Sequence, residues 1–239
     1  MDELERNVPM IEIKNLHKVY RVGDEWVHAL NGIDLEIMRG EICCILGTSG
    51  SGKSTLLNQL AGMEKPSKGE VLIGKAPISR MNENQLTAFR QRYIGFIFQA
   101  YNLLPYLTAE ENVALPLAFR GVDKQTRLRA ARIMLKNVGL EHRLHHYPGQ
   151  MSGGQQQRVG IARAFINRPK VIFADEPTGN LDTQTTLDVM DMMQRFARTY
   201  NQTIVLVTHD PELKSYVDRV VDLRDGKIIS NTLTGEHRS

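Results

Sequence analysis

The sequence predicts an α/β fold built on a largely parallel sheet, with a helical stretch inserted in its middle. Three observations predict it. Short apolar β-type runs alternate with longer segments of helical period along most of the chain. One such run, residues 41–46, feeds directly into a glycine-rich loop that opens a helix. Between about residues 82 and 140, by contrast, the pattern is mostly helical, which reads as an insertion within one domain.

The elements follow in order. Residues 10–13 and 27–37 read as early strands broken by the polar loop 21–25, and 41–46 as a buried strand ahead of a helix over 52–60. After Pro66 and Gly69 comes a short strand at 71–73, and 94–98 is again strand-like. Leu128, Ala131, Leu135 and Val138 fall on one helical face, and Gly139 is a natural stop. Strands return at 171–174 and 203–207. The helix between them carries Leu187, Met190, Met193 and Ala197 on one face, a stripe suited to core packing.

At 239 residues the chain can bury an ordinary core, and 41% apolar with 24% charged residues is a soluble globular composition. A net charge of +3 is too small to argue for a nucleic-acid partner, and none is expected. Cys43 and Cys44 are adjacent in an apolar run, which reads as small core residues in a reducing compartment. The N-terminal residues show no apolar signal region, and no apolar run reaches the roughly 20 residues needed to span a bilayer. A cytoplasmic chain is expected, with any membrane role supplied by a partner.

Three stretches carry chemistry. Gly47-Thr48-Ser49-Gly50-Ser51-Gly52-Lys53-Ser54 matches the phosphate-loop pattern G-x-x-x-x-G-K-[S/T], with a strand before it and a helix after. Backbone N–H groups of such a loop close on phosphate oxygens, and the helix N-terminus adds partial positive charge. Lys53 is expected on the β- and γ-phosphates, the Ser54 hydroxyl on Mg2+, and Thr55 near the α-phosphate. Asp175 and Glu176 end the apolar run 171–174, where ligands bind in open α/β sheets. Asp175 suits a Mg2+ ligand, direct or through water, and Glu176 suits the group that polarises an attacking water.

The third stretch is Met151-Ser152-Gly153-Gly154-Gln155 followed by Gln-Gln-Arg-Val. It resembles the signature of ATP-binding-cassette (ABC) ATPases, usually L-S-G-G-Q, with Met in first place. The resemblance covers essentially the whole chain. It implies a P-loop NTPase cassette with a RecA-like core, N-terminal antiparallel strands and an inserted helical subdomain. The expected division is one domain, with about 1–98 and 165–239 forming the core and about 99–164 the helical subdomain. The Ser152 hydroxyl and the N–H groups of Gly153 and Gly154 make a second anion-binding helix start. It makes physical sense if it serves ATP held by a second copy of the chain.

The resemblance carries further positions. Gln99 matches the Q-loop glutamine that touches Mg2+, Asp182 lies in the D-loop that crosses the dimer, and His209 matches the switch histidine at the γ-phosphate. Tyr20 matches the aromatic that stacks on adenine, with Trp26 a competitor from the same loop. Residues 98–113 and the run Glu-Pro-Thr-Gly-Asn-Leu-Asp at 176–182 are similar to the MacB/LolD/FtsE group. That similarity implies an ATP-hydrolysing subunit, peripheral on the inner face of the membrane. Its partner would be a permease, with or without a periplasmic adaptor. Signalling or cell-wall hydrolase control without solute transport is the alternative. A soluble ATPase on ribosomes or DNA would show paired cassettes, a coiled coil or a basic face. His142, His145 and His146 read as a solvated loop, not a zinc site. The apolar residues of 102–119 read partly as core and partly as a groove for a membrane partner's helix.

Overall fold

The structure, a computed structural model, describes residues 8–234. Two long antiparallel strands, β1 (Pro9–Val22) and β2 (Glu25–Met38), join β4 (Lys68–Ile73) and β5 (Ala76–Pro77) in a four-stranded sheet of order β2-β1-β4-β5. The second sheet has six strands in the order β10-β9-β3-β8-β7-β6. Its members are β3 (Ile42–Leu46), β6 (Ile94–Ile97), β7 (Val171–Asp175), β8 (Thr203–Thr208), β9 (Arg219–Arg224) and β10 (Lys227–Leu233). All pairings are parallel except β10 with β9. The carboxyl ends of five strands therefore point the same way.

Both faces of the central strands β3, β7 and β8 are buried, which is why they read as nearly unbroken apolar runs. Ile42, Cys44, Leu46, Ile172, Ala174, Ile204 and Leu206 enter one core, while Cys43, Ile45, Val171, Phe173, Val205 and Val207 enter the other. The period-two alternation sends Cys43 and Cys44 to opposite faces, so the neighbouring thiols cannot meet. Burial pushes the Cys43 thiol well up, and the Cys44 thiol up to about 12.

The core entered by Cys43 and Ile45 packs α1 (Lys53–Leu60) and the four-stranded sheet against the central one, through Leu56, Leu57, Leu60, Ile11 and Ile37. On the other side lie α3 (Ala109–Phe119), α4 (Lys124–Asn137), α5 (Gly153–Phe165) and α6 (Thr183–Tyr200); α2 (Glu83–Tyr93) precedes β6. Each large side chain fully buried here contributes about 1.5–3 kcal/mol.

The helix starts follow local chemistry. Asn82, Thr108 and Ser152 form capping boxes with Gln85, Glu111 and Gln155, and Asp123 and Asp182 cap α4 and α6. Gly139, at φ +75°, ends the turn after α4 as its position predicts. Met190, Met192, Met193 and Ala197 are buried along α6, but Leu187 is 39% exposed. That corrects the expected stripe: Leu187, one turn nearer the helix start, lies outside the buried face. Among the described residues no helix is long and apolar enough to cross a membrane.

Candidate functional site

Most of the predicted cis groups converge on one cleft of about 620 Å³, although Tyr20, Gly47, Thr48 and Ser51 are not among its lining residues. Ser49, Gly50, Gly52, Lys53, Ser54 and Thr55 line it after β3, Gln99 after β6, Asp175 and Glu176 at the end of β7, and His209 after β8. The parallel sheet accounts for this: every contributor sits at or just beyond a carboxyl strand end, with adjacent strands bringing them side by side.

The phosphate loop is set by contacts that exclude side chains. A Cβ on Gly47 would stand 2.4 Å from the Leu223 carbonyl, and one on Gly52, whose φ is +102°, 2.5 Å from the Ala29 carbonyl. The loop is braced from behind by the β9–β10 turn, where the Gly226 N–H donates to the Ser51 carbonyl at 3.0 Å. Asp225 and Gly226 of that turn also line the cleft, as do Val27, His28 and Ala29 of β2. Sequence reasoning missed these five. An Asp-Gly pair between apolar runs was the available signal for the turn; its contact with the loop is a long-range fact with no local trace.

Lys53 lies beneath the loop and donates to the carbonyls of Gly47 (2.8 Å) and Thr48 (3.0 Å). The Ser54 hydroxyl donates to Asp175 Oδ1 at 3.4 Å. Burial raises the Asp175 carboxyl above its ordinary value and the Glu176 charge adds to this, while Ser54 and Lys53 oppose it. Glu176 follows with φ +44°, a conformation rare for a residue with a side chain, while its N–H still bonds the Val207 carbonyl at 3.0 Å. The turn carries the carboxylate off the strand and into the cleft, where both oxygens stand 3.0–3.1 Å from His209 Nδ1. Gln99 is held by Asn180, whose amide donates to the Gln99 carbonyl at 3.0 Å.

Ser152, Gly153, Gly154 and Gln155 do not line this cleft, nor does Asp182. The Ser152 hydroxyl caps α5 by accepting from the Gln155 N–H at 3.3 Å, and Ser152 is exposed. Gly154 packs against the side chain of Thr185 at the start of α6, which joins the signature turn to the segment capped by Asp182. Gln157 of α5 is fully buried and bonds the Pro177 carbonyl just beyond Glu176. Arg163 reaches the carbonyls of Tyr101 and Asn102, beyond Gln99. One helix is thereby tied to both edges of the cleft.

Tyr20 does not itself line the cleft, but it lies on β1 opposite Val27, with its hydroxyl near Thr55, and both of those residues do. Trp26 pairs with Arg21, on the face that alternation turns away from Val27, and is 65% exposed under the Arg21 guanidinium. The histidines before the signature engage neighbouring side chains: His145 Nδ1 is 3.2 Å from Glu110, which Arg132 also pairs at 2.6 Å, and His146 meets Arg143.

The ABC transporter family profile matches residues 30–179. The chain belongs to the ABC transporter family. As an ABC cassette it is 48% identical over 219 residues to an uncharacterised ABC transporter ATP-binding protein of Thermotoga maritima, covering 92% of this chain and 93% of that one. It is 44% identical over 223 residues to the macrolide export ATP-binding/permease protein MacB of Shigella flexneri, covering 93% of this chain. The match spans only 34% of MacB's length. Among solved structures, a dimeric post-hydrolysis state of the ATP-binding cassette MJ0796 bound to ADP and Pi superposes with a TM-score of 0.88 at 41% identity, covering 94% of this chain and 98% of that one. The fold is thus that of the ABC ATPase cassette, and the chain is an ATPase of this family.

Proposed function

We propose that two copies of this ABC ATPase close on ATP, each nucleotide lying between residues 47–55 of one copy and 152–155 of the other, and that closure drives a separate membrane permease. One observation carries the reading. The cleft gathers Lys53, Ser54, Gln99, Asp175, Glu176 and His209, while the helix start at Ser152 is exposed outside it, which supports a nucleotide shared with a second copy. A subunit that cannot reach its own ATP with Ser152 can reach its partner's.

Lys53 exchanges its loop carbonyls for the β- and γ-phosphates. Glu176 accepts a hydrogen bond from the attacking water and receives its proton as the γ-phosphorus bond to the bridging oxygen breaks. His209, against both Glu176 oxygens, fixes that carboxylate and faces the γ-phosphate. Mg2+ fits the oxygen donors present: Ser54 Oγ and Asp175 Oδ1, 3.4 Å apart, would hold it. It would supply positive charge against the β- and γ-phosphates, and Gln99 lines the same cleft. Tyr20 serves as the platform for adenine, and Asp182 crosses to the partner copy.

The permease partner is supported by the ATP-binding/permease name of the MacB relative and by the exposed apolar side chains of Tyr106 and Phe119 on the helical insertion, residues 99–164. The chain then sits at the cytoplasmic face of the membrane through that permease. Mixing variants tests the shared site. Lys53→Ala and Ser152→Arg chains are each inactive alone, and their mixture recovers ATP hydrolysis because one composite site is whole. No recovery, with ATP binding by the Ser152→Arg monomer also lost, undoes the trans arrangement.

A further inference from the structure

The cleft edge at Tyr20 is built in a way that its role as an adenine platform does not by itself require. The Tyr20 hydroxyl donates to Glu64 Oε2 at 2.6 Å, and the same oxygen pairs Lys18 Nζ at 3.2 Å. Lys18 also donates to the Lys65 carbonyl at 2.9 Å, and its ammonium lies over the Tyr20 ring, 5.1 Å from the centroid. Asn58 of α1 supplies a further bond to Glu64, and Thr55 one to Tyr20. Burial works to raise the Glu64 carboxyl, but the bonds from Tyr20, Lys18 and Asn58 outweigh it and hold it below its ordinary value.

Two properties follow. A tyrosine on an exposed hairpin would otherwise lose rotamer freedom when a base stacked on it, and that loss weakens binding. Here the hydroxyl anchor has already fixed the ring. The Lys18 ammonium over one face of the ring further restricts it. The anchor residues belong to β1 and to the turn after α1, and α1 itself begins at the phosphate loop. Ring and phosphate cradle are thus referenced to the same helix.

We infer that Glu64 and Lys18 are positioning residues for the nucleobase, holding the Tyr20 ring at a set angle and distance from the phosphate loop. The inference rests on the reading of Tyr20 as the base platform. Both act through the Tyr20 ring. Their effect is on the base half of the ligand alone, because the loop and its glycines are braced independently by Ala29, Leu223 and Gly226.

Equilibrium binding of ATP and of inorganic tripolyphosphate, each with Mg2+, tests it on the full chain. Base–aromatic stacking spans about five- to 150-fold in affinity, and loosening the ring forfeits part of it. Glu64→Ala is expected to weaken ATP about three- to tenfold and leave tripolyphosphate unchanged. Lys18→Met should do the same, and Glu64→Gln, which still accepts the tyrosine hydroxyl, should bind ATP close to the parent. Tyr20→Ala separates the two readings. If it loses ATP but not tripolyphosphate while Glu64→Ala binds both normally, the platform stands and the positioning role is overturned. If Tyr20→Ala binds ATP normally, the platform itself is wrong. Equal losses of both ligands in Glu64→Ala mean that α1 or the loop has moved, which also overturns the inference.

Discussion

Replacing Glu176 by Gln removes one charge and one proton acceptor while leaving the shape of the site nearly intact. The carboxylate stands 3.0–3.1 Å from His209 Nδ1 through both oxygens, and an amide keeps one of those two oxygens. The backbone turn at φ +44° is as accessible to Gln as to Glu, so the side chain still enters the cleft. Ground-state binding therefore has no reason to fall. Removing the negative charge also relieves Asp175, whose carboxyl the Glu176 charge helps to raise, and so favours the ionised ligand for Mg2+. The loss falls on the transition state. A positioned general base contributes about 10²- to 10⁴-fold, or roughly 3–5 kcal/mol at about 1.36 kcal/mol per tenfold. Turnover should drop by that factor with ATP affinity unchanged, and an ATP-bound dimer should accumulate. Single-turnover hydrolysis, run beside size-exclusion chromatography in ATP, measures both. Wild-type turnover would refute the assignment of the base, and lost ATP binding would show that Glu176 holds the ground state.

Gly52→Ala places a methyl group 2.5 Å from the Ala29 carbonyl in a left-handed backbone, so the loop must shift; ATP affinity should fall at least about tenfold, and binding within about twofold of the parent would contradict the bracing described. Asn112, fully buried, donates to the carbonyls of Leu104, Leu107 and Thr108 and accepts from the Leu104 N–H. Asn112→Ala orphans those groups at a cost of about 3 kcal/mol, equivalent to about 6–12 °C in thermal midpoint, and a shift below about 2 °C would show the turn to be held by other means. Cys43 and Cys44, buried and with their thiols raised, should resist a thiol reagent at pH 8 until the chain unfolds; stoichiometric labelling of the native protein would contradict their placement.

The parts of the site legible in the sequence are those whose chemistry is written locally. Gly47 to Thr55 needs fixed spacing, Asp175 and Glu176 need only a strand end, and Ser152 to Gln155 is a capping box that any chain segment displays in order. What escaped depends on residues far apart in sequence. The 14-residue strands β1 and β2 pass through register shifts and the positive φ of Asn15, so their period-two signal is broken even though they pair along most of their length. Strand β9 is internal and β10 lies at the sheet edge with alternating exposure; a short pair ending in an Asp-Gly turn gives little to distinguish it from surface hairpin. Gly226 shows its importance only when its N–H meets the Ser51 carbonyl. Leu187 went the other way: the helical period placed it on the core side, but the period cannot tell where the neighbouring layer stops.

The two carbonyls beneath Lys53 have a consequence for the cycle. Gly47 and Thr48 accept protons from the Lys53 ammonium, which is almost wholly buried, so its charge is satisfied within the loop itself. The lysine acts as a resident understudy, keeping the cradle propped in its receiving shape between one guest and the next. A triphosphate entering the loop would trade places with bonds that already exist.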